Sequence, residues 1–374
     1  MTSPVTEPGT GTVEMPEPDR TLLSVRDLSV TFRAKSLVRA VRRVSYDLAV
    51  GEQVGLVGES GSGKSASALA LVRLLPDYAD VSGKVTLEGA DLMRLTEREL
   101  RGVRGDQVGI VYQDPFSSLN PVLTIGKQLT EVLRKHKGLG ARAARREAAR
   151  LLGTVGVPNA EERISDHPHQ FSGGMRQRAV IAMAVAPRPA LLIADEPTTA
   201  LDVTVQAQIL ELLQELTSEH ETTMLLITHD LGVVAGVTQR VMVMYAGRVV
   251  ESSSTEDVFT RASHPYTVAL HRSLPRIDVR QERLVTIEGQ PPNPTQLIRG
   301  CPFAPRCPSR IDRCADEDPP LMTIPTARRA AARGWDIPSI REEDGDQAPG
   351  PASPHLTACW NPPEPAGDEP GSAR

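Results

Sequence analysis

Hydrophobic and polar positions alternate along residues 22–32 and 41–50, the two-residue period of half-buried strands. Residues 53–57 form a short, nearly unbroken apolar run, and 85–87 and 108–112 are further strand candidates. The Ala- and Leu-rich stretch 65–75 predicts a buried helix, and 125–156 follows a helical period. Within it, residues 141–152 set arginines on one face and Ala and Leu on the other. That pattern reads as a solvated amphipathic helix in preference to a nucleic-acid patch. Residues 176–186 and 203–216 predict helices, and 190–194, 223–227 and 240–244 predict strands. Strands alternating with helices imply a mostly parallel α/β sheet.

Periodicity weakens beyond about residue 275, where Pro291, Pro292, Pro294, Pro302, Pro305 and Pro308 leave little room for regular elements. The division expected is a disordered tail over 1–20, a main domain over 21–275 with a helical subdomain over about 115–187, a loop-rich extension over 276–360, and a disordered tail over 361–374. No run approaches the ~20 apolar residues of a membrane-spanning helix, and the Pro-rich start lacks an apolar signal core. The chain is therefore expected in the cytosol, meeting a membrane through partners. Its 374 residues carry 42 Lys+Arg against 47 Asp+Glu and 3% aromatics. A net charge of −5 argues against nucleic-acid binding by bulk charge.

Chemistry concentrates at strand ends. Gly58, Glu59, Ser60, Gly61, Ser62, Gly63, Lys64 and Ser65 fit G-x-x-x-x-G-K-[ST], between an apolar strand and a helix. Glycines there let backbone N–H groups approach phosphate oxygens, and the following helix aims its positive end at the same anion. Lys64 would reach the β- and γ-phosphates, and Ser65 would ligate Mg²⁺. Asp195 and Glu196 end the strand 190–194. Asp195 would hold Mg²⁺, and Glu196 would serve as base toward an attacking water. Gln113 and His229 also follow apolar strands, from which Gln113 can touch Mg²⁺ or water and His229 the γ-phosphate. Ser172, Gly173 and Gly174 open a second helix with uncovered N–H groups.

In this order, these elements resemble an ABC-transporter nucleotide-binding subunit across residues 22–275. Gly58–Ser65 matches the Walker A loop, Gln113 the Q-loop, and Ser172-Gly-Gly-Met175 the signature. Asp195 with Glu196 matches Walker B, Ala200-Leu-Asp202 the D-loop, and His229 the switch histidine. Two departures are Met175, where many members carry Gln, and Phe171, where they carry Leu. Phe32 is the nearest candidate for the adenine-stacking aromatic. The resemblance implies a P-loop NTPase fold of the ABC type with a helical subdomain. It also implies an ATP sandwich in which Ser172, Gly173, Gly174 and Asp202 face the nucleotide of a partner. The runs 113–121, 172–178, 264–267, 289–292 and 301–307 narrow it to the oligopeptide/dipeptide importers. In that family two different ATPase subunits pair beneath two permease subunits, at the cytoplasmic face of the membrane, and an extracytoplasmic binding protein delivers peptide. Importers of nickel or another small solute, and soluble ABC ATPases outside transport, are the alternatives.

The four cysteines, Cys301, Cys307, Cys314 and Cys359, all lie in the extension. Their spacing lacks the C-x2–4-C pairs of tight zinc sites. Wide spacing with interleaved prolines, and the family resemblance, lean toward a structural [4Fe–4S] cluster, with Zn²⁺ or free or disulfide-bonded cysteines as alternatives.

Overall fold

A computed structural model describes residues 21–199, 201–274, 286–324 and 355–363. The expected tails over 1–20 and most of 361–374 lie outside those residues, as does Ala200 of the D-loop. Twelve strands are present among them: β1 (Thr21–Arg33), β2 (Leu37–Ala49), β3 (Gln53–Val57), β4 (Ala79–Leu87), β5 (Ala90–Asp91), β6 (Val108–Val111), β7 (Leu191–Asp195), β8 (Thr223–Thr228), β9 (Arg240–Tyr245), β10 (Arg248–Ser254), β11 (Met322–Thr323) and β12 (Leu356–Thr357). They form two sheets, ordered β2-β1-β4-β5 and β11-β12-β10-β9-β3-β8-β7-β6.

The parallel expectation holds only for the centre of the second sheet, where β6, β7, β8, β3 and β9 run parallel. The first sheet is antiparallel, and so are β10, β12 and β11. Two-residue turns make two of the reversals. Glu88-Gly89 joins β4 to β5 and Ala246-Gly247 joins β9 to β10, with both central residues of each turn at positive φ. That geometry twists with the strands it connects.

The apolar runs of the parallel strands are continuous because both faces are covered. Alternate residues feed two cores. Leu192, Ala194, Met224, Leu226, Val241 and Val243 pack with the helical layer. Leu191, Ile193, Leu225, Ile227, Met242 and Met244 pack with the antiparallel sheet. The helical layer includes Ile125–Lys137, Ala141–Thr154 and Gly173–Val185. The expected helical stretch 125–156 is thus two helices, separated at Gly138, which has φ 64°. In the second, Ala144, Ala148, Leu151 and Leu152 are buried while Arg142, Arg145, Arg146 and Arg150 face solvent. The helix expected over 65–75 ends early, as Lys64–Leu71, because Arg73 turns left-handed and Pro76 follows.

The extension packs on the main sheet. Phe303 enters the first core, Leu321, Leu356 and Ala358 enter the second, and β12 pairs with β10. Buried Glu251 of β10 fastens this edge. Its carboxylate accepts from Ser263 N at 2.7 Å and His264 N at 2.9 Å, and His355 Nε2 lies 2.6 Å away. No helix among the described residues is long and apolar enough to cross a membrane.

Candidate functional site

Strand β3 is wholly buried and delivers the loop 58–63 at its C-terminal end, against the start of helix Lys64–Leu71. Two glycines are required by close approach. A Cβ at Gly58 would stand 2.1 Å from the Met244 carbonyl oxygen, and one at Gly63 2.1 Å from that of Ala40. Gly63 also sits at φ 103°, which side chains rarely adopt. Lys64 is 4% exposed, and its ammonium donates to the carbonyls of Gly58 at 2.7 Å and Glu59 at 3.0 Å. Burial lowers its pKa, while Glu196, Asp195 and Glu59 hold it up. A desolvated cation curled over a glycine loop is poised for a polyanion.

The neighbouring strand ends converge on that loop. Ser65 Oγ donates to Asp195 Oδ1 at 2.9 Å. Burial raises the Asp195 pKa, Glu196 adds to the rise, and the Ser65 bond and Lys64 oppose it. Serine hydroxyl and carboxylate are hard oxygen donors of the kind Mg²⁺ takes, together with substrate phosphates. Glu196 stands at φ 46°, a strained left-handed residue whose N–H is tied to the Ile227 carbonyl at 2.9 Å. Its carboxylate collects three partners: Gln113 Nε2 at 2.9 Å, Thr199 Oγ1 at 2.9 Å and His229 Nδ1 at 3.2 Å. Gln113, Glu196 and His229, read from three separate strand ends, therefore meet at one carboxylate. His229 is not a helix cap; Asp230 caps the short helix Leu231–Val234.

Ser172, Gly173 and Gly174 are placed elsewhere. Among the described residues, no hydrogen bond or ion pair ties them to the phosphate loop. Ser172 Oγ caps helix Gly173–Val185 by accepting from Met175 N at 3.3 Å. Phe171 is 2% exposed and Met175 packs on the first core, so both family departures are core side chains. Asp202 is exposed and caps Val203–Glu219, accepting from Val205 N at 3.0 Å. That helix start lies against the signature, with Val205 Cγ1 3.0 Å from a Cβ built on Gly174. Phe32 is half-buried, its ring tilted 52° against Tyr78 at 6.0 Å.

The cysteines are free thiols. Burial pushes the Cys301 thiol up to about 12 and raises Cys307 and Cys359 too, and the other three thiols add to the rise at Cys359. The four thus share a neighbourhood. Yet no three His, Cys, Asp or Glu side chains among the described residues converge on one ion position, so neither the expected cluster nor the zinc alternative finds a ready cage.

Three residues at the phosphate loop carried no chemistry in the sequence reading. Tyr266 OH accepts from Glu59 N at 2.8 Å. Arg306 forks onto the Glu59 carboxylate at 2.9 and 3.1 Å, and Tyr245 OH accepts from it at 3.3 Å. The family resemblance did single out the runs containing Tyr266 and Arg306, but without a role for either side chain, and nothing local marks Tyr245.

Comparison with known proteins agrees with this geometry. A family model described as ABC transporter matches residues 41–199, and one described as oligopeptide/dipeptide transporter, C-terminal region, matches 250–314. The oligopeptide transport ATP-binding protein OppD of Salmonella typhimurium is 49% identical over 85% of this chain and 95% of its own. The dipeptide transport ATP-binding protein DppD of Bacillus subtilis is 49% identical over 81% of this chain and 91% of its own. Among solved structures, the dimeric ATP-binding cassette MJ0796, in a post-hydrolysis state bound to ADP and Pi, superposes with a TM-score of 0.57 at 28% identity. It covers 63% of this chain and 99% of that one. The chain belongs to the oligopeptide/dipeptide transport ATP-binding family of ABC ATPases.

Proposed function

We propose that this chain hydrolyses ATP to energise peptide import through a membrane ABC transporter. The observation that carries the reading is the convergence of Lys64, Ser65, Asp195, Gln113, Glu196 and His229 around one phosphate loop. Backbone N–H groups of 58–65 and the Lys64 ammonium bind the triphosphate. Ser65, Asp195 and Gln113 would hold Mg²⁺, which when bound neutralises phosphate charge. Glu196 accepts a hydrogen bond from the attacking water and orients it in line. Thr199 and Gln113 fix that carboxylate, and His229 bridges from it toward the γ-phosphate.

The separation of Ser172–Gly174 and Asp202 from this loop fits a sandwich in which they face the nucleotide of a second, homologous ATPase subunit. ATP then bridges the subunits, and its hydrolysis removes the shared ligand. Tyr112, Phe116 and Val122 near Gln113 are exposed and apolar, as a face docking on two permease subunits at the cytoplasmic side of the membrane requires. Arg176 of the signature helix lies 4.2 Å over the Phe116 ring, joining that face to the sandwich. A binding protein outside the membrane would supply the peptide. The neighbouring thiols of Cys301, Cys307, Cys314 and Cys359 would hold a [4Fe–4S] cluster, which would help to fold the loop-rich extension. Its sign is a brown protein when purified without oxygen.

The test is co-purification with the permease subunits and assay of ATP turnover against candidate solutes. Stimulation by peptide-loaded binding protein is expected. Stimulation by nickel alone would reassign the cargo, and ATP turnover indifferent to every solute and to the permeases would refute transport.

A further inference from the structure

Glu59 occupies a variable position of the phosphate-loop pattern, yet it is held from every side. Its N–H donates to Tyr266 OH at 2.8 Å, its carbonyl accepts from Lys64 Nζ at 3.0 Å, and its carboxylate receives the Arg306 fork. Arg306 comes from a separate part of the chain, 247 residues on, in the turn Ala304–Arg306 between Cys301 and Cys307. A guanidinium has five N–H donors, and Arg306 uses five bonds. Beyond the two to Glu59, they go to Tyr245 OH at 3.3 Å, Ile287 O at 3.1 Å and Glu288 O at 3.0 Å. The side chain is 5% exposed and that of Glu59 25%. A buried, bidentate, fully used arginine is a rigid tie, unlike a surface ion pair.

We infer that Arg306 is a positioning residue of the ATP site, which acts through Glu59 to hold the phosphate loop and the Lys64 ammonium in their nucleotide-binding arrangement. The inference rests on the reading of that loop as an ATP site. The Glu59 carbonyl is one of the two oxygens that seat Lys64, so a change in the Glu59 carboxylate anchor shifts the seat. The extension thereby becomes part of the nucleotide site instead of an appendage. The residues that anchor Arg306 from below, Ile287 and Glu288, belong to the segment whose continuation passes the loop, where Arg39 N donates to the Pro294 carbonyl at 3.1 Å.

Charge alone predicts the opposite outcome, which makes the idea decidable. Glu59→Gln removes a negative charge beside a polyanion and leaves Arg306 as a free cation. Simple Coulomb attraction would therefore tighten ATP binding. Loss of the tie would weaken it. Arg306→Lys keeps the local charge and loses the fork, so charge alone predicts no change. The experiment is calorimetric titration of the purified full-length chain with Mg·ATP, for wild type and both variants, with thermal melting alongside. The Kd is expected to rise about fivefold or more in each variant. In the assembled transporter, KM for ATP should rise more than kcat falls. The double variant should be no weaker than the worse single one, since both break the same tie. A Kd unchanged or lowered in Glu59→Gln overturns the inference even if Arg306→Lys unfolds, because Glu59→Gln leaves Arg306 its bonds to Tyr245, Ile287 and Glu288. A wild-type chain that binds no Mg·ATP would overturn the ATP reading itself, and this inference with it.

Discussion

The carboxyl edge of the parallel strands and the far edge of the same sheet are built on opposite principles. At the first, the interiors of β3, β6, β7 and β8 are apolar, and charged groups appear only where the strands stop. Ionisable side chains are concentrated there and held under tension: Glu196 at positive φ, Asp195 raised by burial, Lys64 lowered by it. At the far edge, β10 carries Glu251, Ser252 and Ser253 fully buried, and every bond to Glu251 is satisfied by the segment that follows or by the extension. One edge gathers charged side chains around a phosphate loop. The other uses satisfied charge to close the fold. The first should fail chemically when altered and the second structurally.

Glu196→Gln is the largest expected break of that contrast. With its partner subunits present, kcat should fall about 100-fold or more while Mg·ATP still binds. The melting temperature should hold or rise, since the carboxylate that raises Asp195 is gone. Turnover near wild type would remove Glu196 from its role.

His264→Asn is the milder, reciprocal test. Burial holds the His264 pKa down to about 4, against 6.5 for a free imidazole. The folded chain therefore keeps this ring neutral while the unfolded chain takes up a proton. Stability from this group is full above about pH 6.5 and declines as pH falls from there toward about 4, by roughly 2 kcal/mol between pH 7 and pH 5. Asparagine can still cap Pro265–Ser273, where His264 Nδ1 accepts from Tyr266 N at 3.1 Å. Denaturant unfolding at the two pH values should show the wild type losing more stability than the variant. ATP turnover per folded molecule should be equal for the two. Equal acid sensitivity would mean that His264 is not the group responsible.

The same contrast explains what the sequence made legible. Ser65 and Asp195 lie 130 residues apart, yet both were readable, because each sits in a local pattern whose chemistry requires the other. Gln113, Glu196 and His229 were readable as strand ends. Strand β10 was not, because three of its five buried residues, Glu251, Ser252 and Ser253, are polar, and only distant partners make burial of the Glu251 carboxylate tolerable. Arg306 and Glu59 are tied by an ion pair that only the tertiary fold brings about, with no periodicity or spacing to announce it. The parallel centre followed from its apolar runs, while the antiparallel sheets depended on pairings that hydrophobic patterns leave open.

The central claim is that residues 58–65 grip a nucleotide triphosphate. Its most direct test is titration of the full-length wild-type chain with Mg·ATP, beside Lys64→Ala. The account predicts saturable binding at one nucleotide per chain, lost when Lys64 is truncated. Absence of saturable binding, or binding indifferent to Lys64, would contradict it.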